Sequence, residues 1–460
     1  MPDLERLLAG ERGQLAALAE RHINPAFVKV LKILGFDKRY VRGQGQYLYD
    51  EDGTQYLDCL VGYGTFACGR NHPVIREALK QTLDLDLPNL VHMGIAPLSG
   101  FLARELVALA PGDLEMVFFT NSGAEGVETA LKYARAATGK PRILHCDKSF
   151  HGLTLGALSV NGHAEFKEGF GPHLPAIGTV PFDDLGALER ELAGGDVAAL
   201  IVEPIQGEGV YVPCDDYLSE ASKLCRKKGA LFIADEVQTG FGRTGRMFAC
   251  EHWQIEPDIL ITAKALSGGY VPVGAVLSKR WIHEKVFSSL DRCVVHSSTF
   301  SENDLAMAAG LATLKVLRDE KLVENAARLG ELLMHGLREV GRKYEMFRGV
   351  RGKGLMIGIE FGPPASTALK VGWNVLHKLN PSLFCQVMLI PLLAEHHILA
   401  QVAGHHLDVI KLLPSLVITE NDVAHVVRAF DKVLAACHRF PGPAWEIGKR
   451  LAGSAMRMSR

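Results

Sequence analysis

The sequence predicts an α/β protein built on a mostly parallel sheet, and three observations lead there. From about Pro97 onward, short apolar runs alternate with helical patterns, as in a parallel sheet covered on both faces. Runs such as Leu231–Ala234 and Ile259–Ile261 are apolar throughout, as strands buried on both sides are. Ionisable residues then follow, Asp235 directly after the first run and Lys264 just past the second. Open α/β sheets hold their ligands at those carboxyl ends.

A chain of 460 residues is long enough for two or three cores, and its 48% apolar and 22% charged content is ordinary for a globular protein. A net charge of -2 gives no basis for nucleic acid or an anionic membrane as the main partner. Nine scattered cysteines with no C-x-x-C pair fit free thiols in a reducing compartment, not a disulfide framework or a zinc site. The charged opening MPDLERLLAGERGQLAALAERH lacks the apolar centre of a signal peptide. Leu383–Ala394 is too short to span a bilayer and contains Gln386 and Pro391. The expectation is a cytoplasmic protein without a transmembrane segment.

In chain order, leucines and alanines at helical spacing predict a helix from Asp3 to about Ala19, ended by Asn24-Pro25. Tyr47–Asp50 and Gln55–Asp58, separated by a polar turn, predict a hairpin. Asn71-His72-Pro73 predicts a capped helix from Pro73 to Leu85. The expected parallel strands are Met116–Thr120, Arg142–Cys146, Ala198–Val202, Leu231–Ala234, Ile259–Ile261 and Gly274–Ser278, with helices such as Glu125–Ala137 and Tyr217–Lys228 between them. After Lys321 come a long amphipathic helix, a strand over Gly349–Phe361, a strand over Val409–Leu413, and a closing helix capped by Thr419 with Asp422 three positions on. The expected division is 1–96 as an N-terminal segment with part of a small domain, 97–325 as a large domain, and 326–460 as the rest of the small domain.

An acid and a lysine at neighbouring strand ends, with flexible Ser267-Gly268-Gly269 after the lysine, suit pyridoxal 5'-phosphate: a carboxylate for the ring nitrogen and an amine for a Schiff base. Singly, Asp235 reads equally as a helix cap and Lys264 as a solvated charge. Asn121-Ser122-Gly123-Ala124-Glu125 opens a helix after a strand, a phosphate cradle or an ordinary cap. Phe150-His151-Gly152 offers a ring to stack on a flat cofactor, or a core Phe beside a solvated His. Glu203 and Glu208 lie beyond another strand, Val237 and Gln238 follow Asp235, and His296-Ser297-Ser298-Thr299-Phe300 adds hydroxyls; each alone is also a plain loop.

Taken together, NSGAE, FHG, EPIQGEG, DEVQTGFGRTG, AKALSGG, HSSTF and RGKGL stand in the order found in class III pyridoxal-phosphate aminotransferases, and the chain resembles that family over nearly its whole length. INPAF and DCLVGYGTF are most similar to its putrescine branch. The resemblance implies a fold-type I homodimer with active sites at the subunit interface and ping-pong amino transfer from an amino acid or diamine to a 2-oxo acid or other carbonyl. It implies that Lys264 carries the cofactor and Asp235 bonds the ring nitrogen. Ser122, Gly123 and Ala124 would hold the phosphate with Thr299 of the neighbouring subunit, and Phe150 and Val237 would sandwich the ring. Gln238 would reach its 3-oxygen, His151 and Glu203 would belong to the same cofactor site, and Tyr63 would contact substrate.

The chain departs from the family pattern at three places. Lys411, in IKLLPSL, stands where the family has a carboxylate-gripping arginine; it reads as a substrate ligand or as the ion-pair partner of Glu208. Glu302 and Asp304 bring negative charge near the expected interface, favouring a cationic substrate or simply forming a solvated loop. Leu383–Leu413 is unusually apolar and carries His396-His397 and His405-His406; adjacent side chains diverge, so no metal is expected, and an apolar flap over a long-chain or lipid-like carbonyl is the alternative. An aminomutase or decarboxylase on the same scaffold is a further alternative.

Overall fold

In a computed structural model of the chain, the described residues are 3–439, apart from 380 and 382, together with 442, 445 and 448. The end of the segment expected over 326–460 therefore lies largely outside them.

The N-terminal helical pattern resolves into Leu4–Glu11 and Leu15–His22. The pattern ends at His22, just ahead of Asn24-Pro25 as expected, and the same pair opens another helix, Pro25–Leu34. Asn24 accepts a hydrogen bond from the Phe27 amide at 3.0 Å, and proline suits a first turn that needs no N–H. Strands β1 (Tyr40–Gln44), β2 (Tyr47–Asp50) and β3 (Gln55–Asp58) form an antiparallel meander containing the expected hairpin. The helix Pro73–Asp84 follows, but Asn71 does not cap it; the Asn71 side-chain amide donates to the Gly43 carbonyl instead.

Seven strands form the central sheet: β4 (Met116–Thr120), β5 (Arg142–Cys146), β6 (Ile177–Val180), β7 (Val197–Val202), β8 (Leu231–Asp235), β9 (Ile259–Thr262) and β10 (Gly274–Ser278). Their order is β4-β10-β9-β8-β7-β5-β6. β5 to β9 run parallel, and β7, β8 and β9 are buried at every position, which is why they read as unbroken apolar runs. Two features differ from expectation. β10 is antiparallel to both neighbours, since the chain returns from β9 after only a short connection. β6 is an extra edge strand; Ile177–Val180 is short and only half buried, so it carries little apolar signal.

The expected single strand over Gly349–Phe361 is a hairpin, β11 (Phe347–Lys353) and β12 (Met356–Phe361), because Gly354, with φ +53°, turns the chain. β13 (Ile398–Leu399) pairs in parallel with β3, so late chain joins the N-terminal sheet. β14 (Gln401–Val402) and β15 (Val409–Leu412) complete a third sheet of order β11-β12-β15-β14. Of the stretch Leu383–Leu413, expected as an apolar flap, the part Leu383–Ala394 is largely buried. It is a helix whose Phe384, Cys385, Val387, Met388, Leu389 and Leu392 are buried in the main core, while Leu393 is buried with Leu48 and Tyr56. The closing helix Glu420–Cys437 carries the expected capping box of Thr419 and Asp422. Among the described residues no helix is long and apolar enough to cross a membrane.

Candidate active site

The carboxyl ends of the parallel strands open on a cavity of about 1010 Å³, at the top of the usual range for small-molecule sites. Four strand ends deliver its floor. β8 ends in Asp235, buried to 4% exposure; its Oδ2 lies 2.7 Å from His151 Nδ1 and its Oδ1 accepts from the Val237 amide at 3.1 Å. Each carboxylate oxygen keeps a further lone pair for a ligand. β9 leads into Lys264, whose backbone φ of +42° is unusual for a residue with a side chain and is the kind of strain that gathers at functional sites. Burial pushes the Lys264 ammonium pKa below the usual lysine range, against the opposing pull of Asp235 and Glu203.

β4 runs into the helix Gly123–Thr138. Ser122 caps it by accepting from the Glu125 amide at 3.2 Å, and the Glu125 carboxylate returns to the Asn121 amide at 2.8 Å. The first-turn amides of Gly123 and Ala124 have no carbonyl within the helix and line the cavity. Glycine at 123 is required by packing: a Cβ there would come 2.8 Å from Val237.

Beyond β7, Glu203 ties two loops of the floor, accepting from the Phe150 amide at 2.9 Å and the Gly207 amide at 2.8 Å. Burial, reinforced by Asp235 and eased by His151 and the two amides, pushes its carboxyl pKa up to about 7.

The other expected residues fall in two groups. Tyr63, Ser122, Phe150, His151, Val237, Gln238, Glu208 and Lys411 all line the cavity. Thr299 is exposed and does not line the cavity of its own chain. The Gln238 side chain is engaged within the protein, its Nε2 donating to the Tyr63 carbonyl at 3.1 Å and its Oε1 facing Lys411 Nζ at 3.4 Å. The expected Glu208–Lys411 ion pair is not formed. Glu208 Oε2 lies 3.0 Å from His163 Nε2, a contact that raises the His163 pKa, and Lys411 donates to the Gly207 carbonyl at 2.7 Å. Burial beside Lys264 pushes the Lys411 pKa down to about 8, with Glu208 and Glu203 resisting. Asp304 is not in a solvated loop; it is buried in the first turn of the helix Asp304–Asp319, where a negative charge meets the positive end of the helix dipole. Glu302 is exposed.

Several cavity residues carry no sequence signal that sets them apart. Phe166, its ring centroid 5.2 Å from Phe150 and 5.0 Å from His405, builds the outer wall, and His163 anchors Glu208. Gln386 did carry a signal: it is the one polar side chain in Leu383–Ala394, and it faces the cavity. Among the described residues no three His, Cys, Asp or Glu side chains gather as a metal site requires.

The geometry fits a flat, anionic, aldehyde-bearing cofactor. Phe150 and Val237 flank the floor, free amides at a helix start suit an anion, an acid and a lysine face the same space, and the buried His151 Nε2 has no partner within the protein. A family model described as aminotransferase class-III matches residues 35–434. A curated relative, Aminotransferase PigE of Serratia sp., is 38% identical over 443 residues, covering 89% of this chain and 52% of the relative. The chain thus spans about half the length of that relative. Among solved structures, ornithine aminotransferase from Toxoplasma gondii superposes with TM-score 0.77 at 32% identity, covering 87% of this chain and 90% of its own. An amine transaminase from an uncultivated Pseudomonas species, solved with pyridoxal phosphate, does so with TM-score 0.76 at 30% identity, covering 87% and 95%.

Proposed function

The chain belongs to the class-III aminotransferase family, whose enzymes depend on pyridoxal 5'-phosphate, and we propose that its own reaction moves an amino group from an amino acid or diamine to a 2-oxo acid or other carbonyl in ping-pong fashion. The observation that carries this is the delivery of Asp235 and Lys264 by adjacent strands β8 and β9 to one cavity.

When bound, the cofactor supplies an aldehyde that condenses with amines and a ring that draws electrons from the substrate carbon. Asp235, oriented by His151 and the Val237 amide, would hold a proton on the ring nitrogen. Phe150 and Val237 would hold the ring, and the Gly123 and Ala124 amides with Ser122 would hold the phosphate. Lys264 Nζ moves the proton at the amine-bearing carbon of the substrate; a pKa below the ordinary lysine value raises the fraction of free amine available for this work. Glu203 fixes the loops that carry Phe150 and Gly207. Tyr63, Glu208 and Lys411 contact the substrate.

We read the working unit as a homodimer. Met93 and Ile95 are almost fully exposed, as is Leu290, and Phe300 beside Thr299 is 58% exposed, large apolar side chains that a second copy would cover. Thr299 would then serve the neighbouring cavity. The long-chain alternative draws no support from Leu383–Ala394, whose apolar side chains face the core.

The test is single-turnover reaction of holoenzyme with ornithine, putrescine, glutamate, alanine and long-chain amines, followed by cofactor absorbance. Conversion to pyridoxamine phosphate with release of a free carbonyl product is expected. Release of carbon dioxide, or an isomerised amine with no pyridoxamine phosphate left behind, would point to a decarboxylase or a mutase.

A further inference from the structure

The cavity is larger than the cofactor floor requires, and its far wall is made by β14, β15 and the helix Leu383–Ala394. Gln401 and Lys411 are directly paired across the antiparallel β14–β15 ladder, so their side chains leave the sheet on the same face. Lys411 reaches the Gly207 carbonyl on the cavity side, and Gln401 therefore faces the cavity too, which it lines. Gln386 joins them from an otherwise apolar helix. Neither glutamine is used by the floor chemistry. Gln386 Oε1 and Gln401 Nε2 are both buried without a hydrogen-bond partner, a costly state that a complementary ligand relieves.

We propose that Gln386, Gln401 and Lys411 form a subsite for the non-reacting end of the amine substrate, and that this end is a neutral carboxamide. The proposal rests on the aminotransferase reading and names its substrate class. A carboxamide carries both a donor and an acceptor, so it meets the two unpaired amide atoms at once. A carboxylate is a poorer match. Among the described residues that line the cavity there is no arginine fork, and Lys411 already serves the Gly207 carbonyl and Gln238. Glu208 presses on the same wall, its Oε2 2.8 Å from where a Gly404 Cβ would stand. A plain alkyl end leaves both glutamine atoms unpaired. The second ammonium of a diamine meets the like charge of Lys411, and the wall's carboxylate, Glu208, is already paired with His163.

The experiment compares holoenzyme kcat/KM for 5-aminopentanamide, 5-aminopentanoate, hexylamine and putrescine, and the melting shift produced by the unreactive hexanamide. The carboxamide should exceed each of the other donors by about tenfold, the worth of one well-placed hydrogen bond. In Gln401→Leu, and separately in Gln386→Met, the carboxamide-to-hexylamine ratio should fall about tenfold, through KM more than kcat, and the hexanamide shift should shrink. Two variants on different elements guard against one that fails to fold. Equal or better use of the carboxylate, the diamine or hexylamine by the parent, or an unchanged ratio in both folded variants, overturns the subsite while leaving aminotransfer intact. No product from any donor overturns the aminotransferase reading instead, and the hexanamide shift then decides the subsite alone: a shift lost in the variants supports it, and no shift in the parent ends it.

Discussion

The floor of the cavity and its far wall face each other across one space yet are built by opposite means. Floor residues sit at the ends of buried strands, and the floor's two carboxylates are each met twice: Asp235 by His151 and the Val237 amide, Glu203 by the Phe150 and Gly207 amides. The wall comes from a short antiparallel ladder and one helix, and it leaves Gln386 Oε1 and Gln401 Nε2 unpaired. On the proposed reading the floor is organised in advance for one cofactor, whereas the wall would be completed by the substrate.

The sharpest way to break this comparison is to remove the floor's amine. Lys264→Ala should keep the cofactor, held by the helix start and Asp235, but lose roughly 10⁴-fold or more in amino transfer, the upper reach of general acid–base work. Steady turnover near the parent rate would take Lys264 out of its role. Asp235→Ala comes next. On the proposed assignment it strips the ring nitrogen's partner, and it leaves His151 Nδ1 unpaired, so cofactor retention should fall and kcat should drop by roughly 10³-fold. Absorbance titration with added cofactor separates the two effects, and near-normal rates at saturation would reject the assignment.

A smaller effect concerns what the floor costs. The Glu203 carboxyl rises from 4.5 to about 7 in the folded chain, so the folded state holds that proton where the unfolded state has released it. Its contribution to stability is therefore present below pH 4.5 and lost as pH rises through 7. Glu203→Gln leaves one acceptor for the Phe150 amide and opposes an N–H to Gly207 at every pH, a constant offset. Between pH 5 and 8 the stability of the variant should gain on the parent by about 2 kcal/mol, which denaturant melts at several pH values would measure. A difference that does not vary with pH would mean that Glu203 is ionised throughout.

The same contrast governs what could be read from the sequence. Floor residues were legible because strand ends and helix starts are local: Leu231–Ala234 announces where Asp235 must go, and Ser122-Gly123 announces an amide cradle. The antiparallel turn of β10 and the half-buried edge strand β6 were not, since direction and edge position depend on tertiary pairing. The wall was misread for a related reason. Apolar Leu383–Ala394 gives no sign of facing the core and not the ligand, and nothing local makes His163 the partner of Glu208 in place of Lys411. Arg243 makes the same point: it is fully buried, and its Nη1 donates to the carbonyls of Leu355 and Pro414, more than a hundred residues away.

A third polar cluster, outside the cavity lining, sharpens the comparison. Thr419 Oγ1 accepts from the Asp422 amide at 3.3 Å, and Asp422 Oδ2 accepts from the Thr419 amide at 2.8 Å. Asp422 also receives Gln46 Nε2 at 2.8 Å and the Tyr47 hydroxyl, tying the N-terminal meander to the closing helix. Thr419→Ala removes one cap acceptor and leaves those ties in place, so it should cost about 1 kcal/mol. Neither residue lines the cavity, and kcat, KM and the preference among donor end groups should stay at parental values. A changed donor preference in Thr419→Ala would mean that the far wall is tuned from the closing helix, and the wall could no longer be treated as a local set of three side chains.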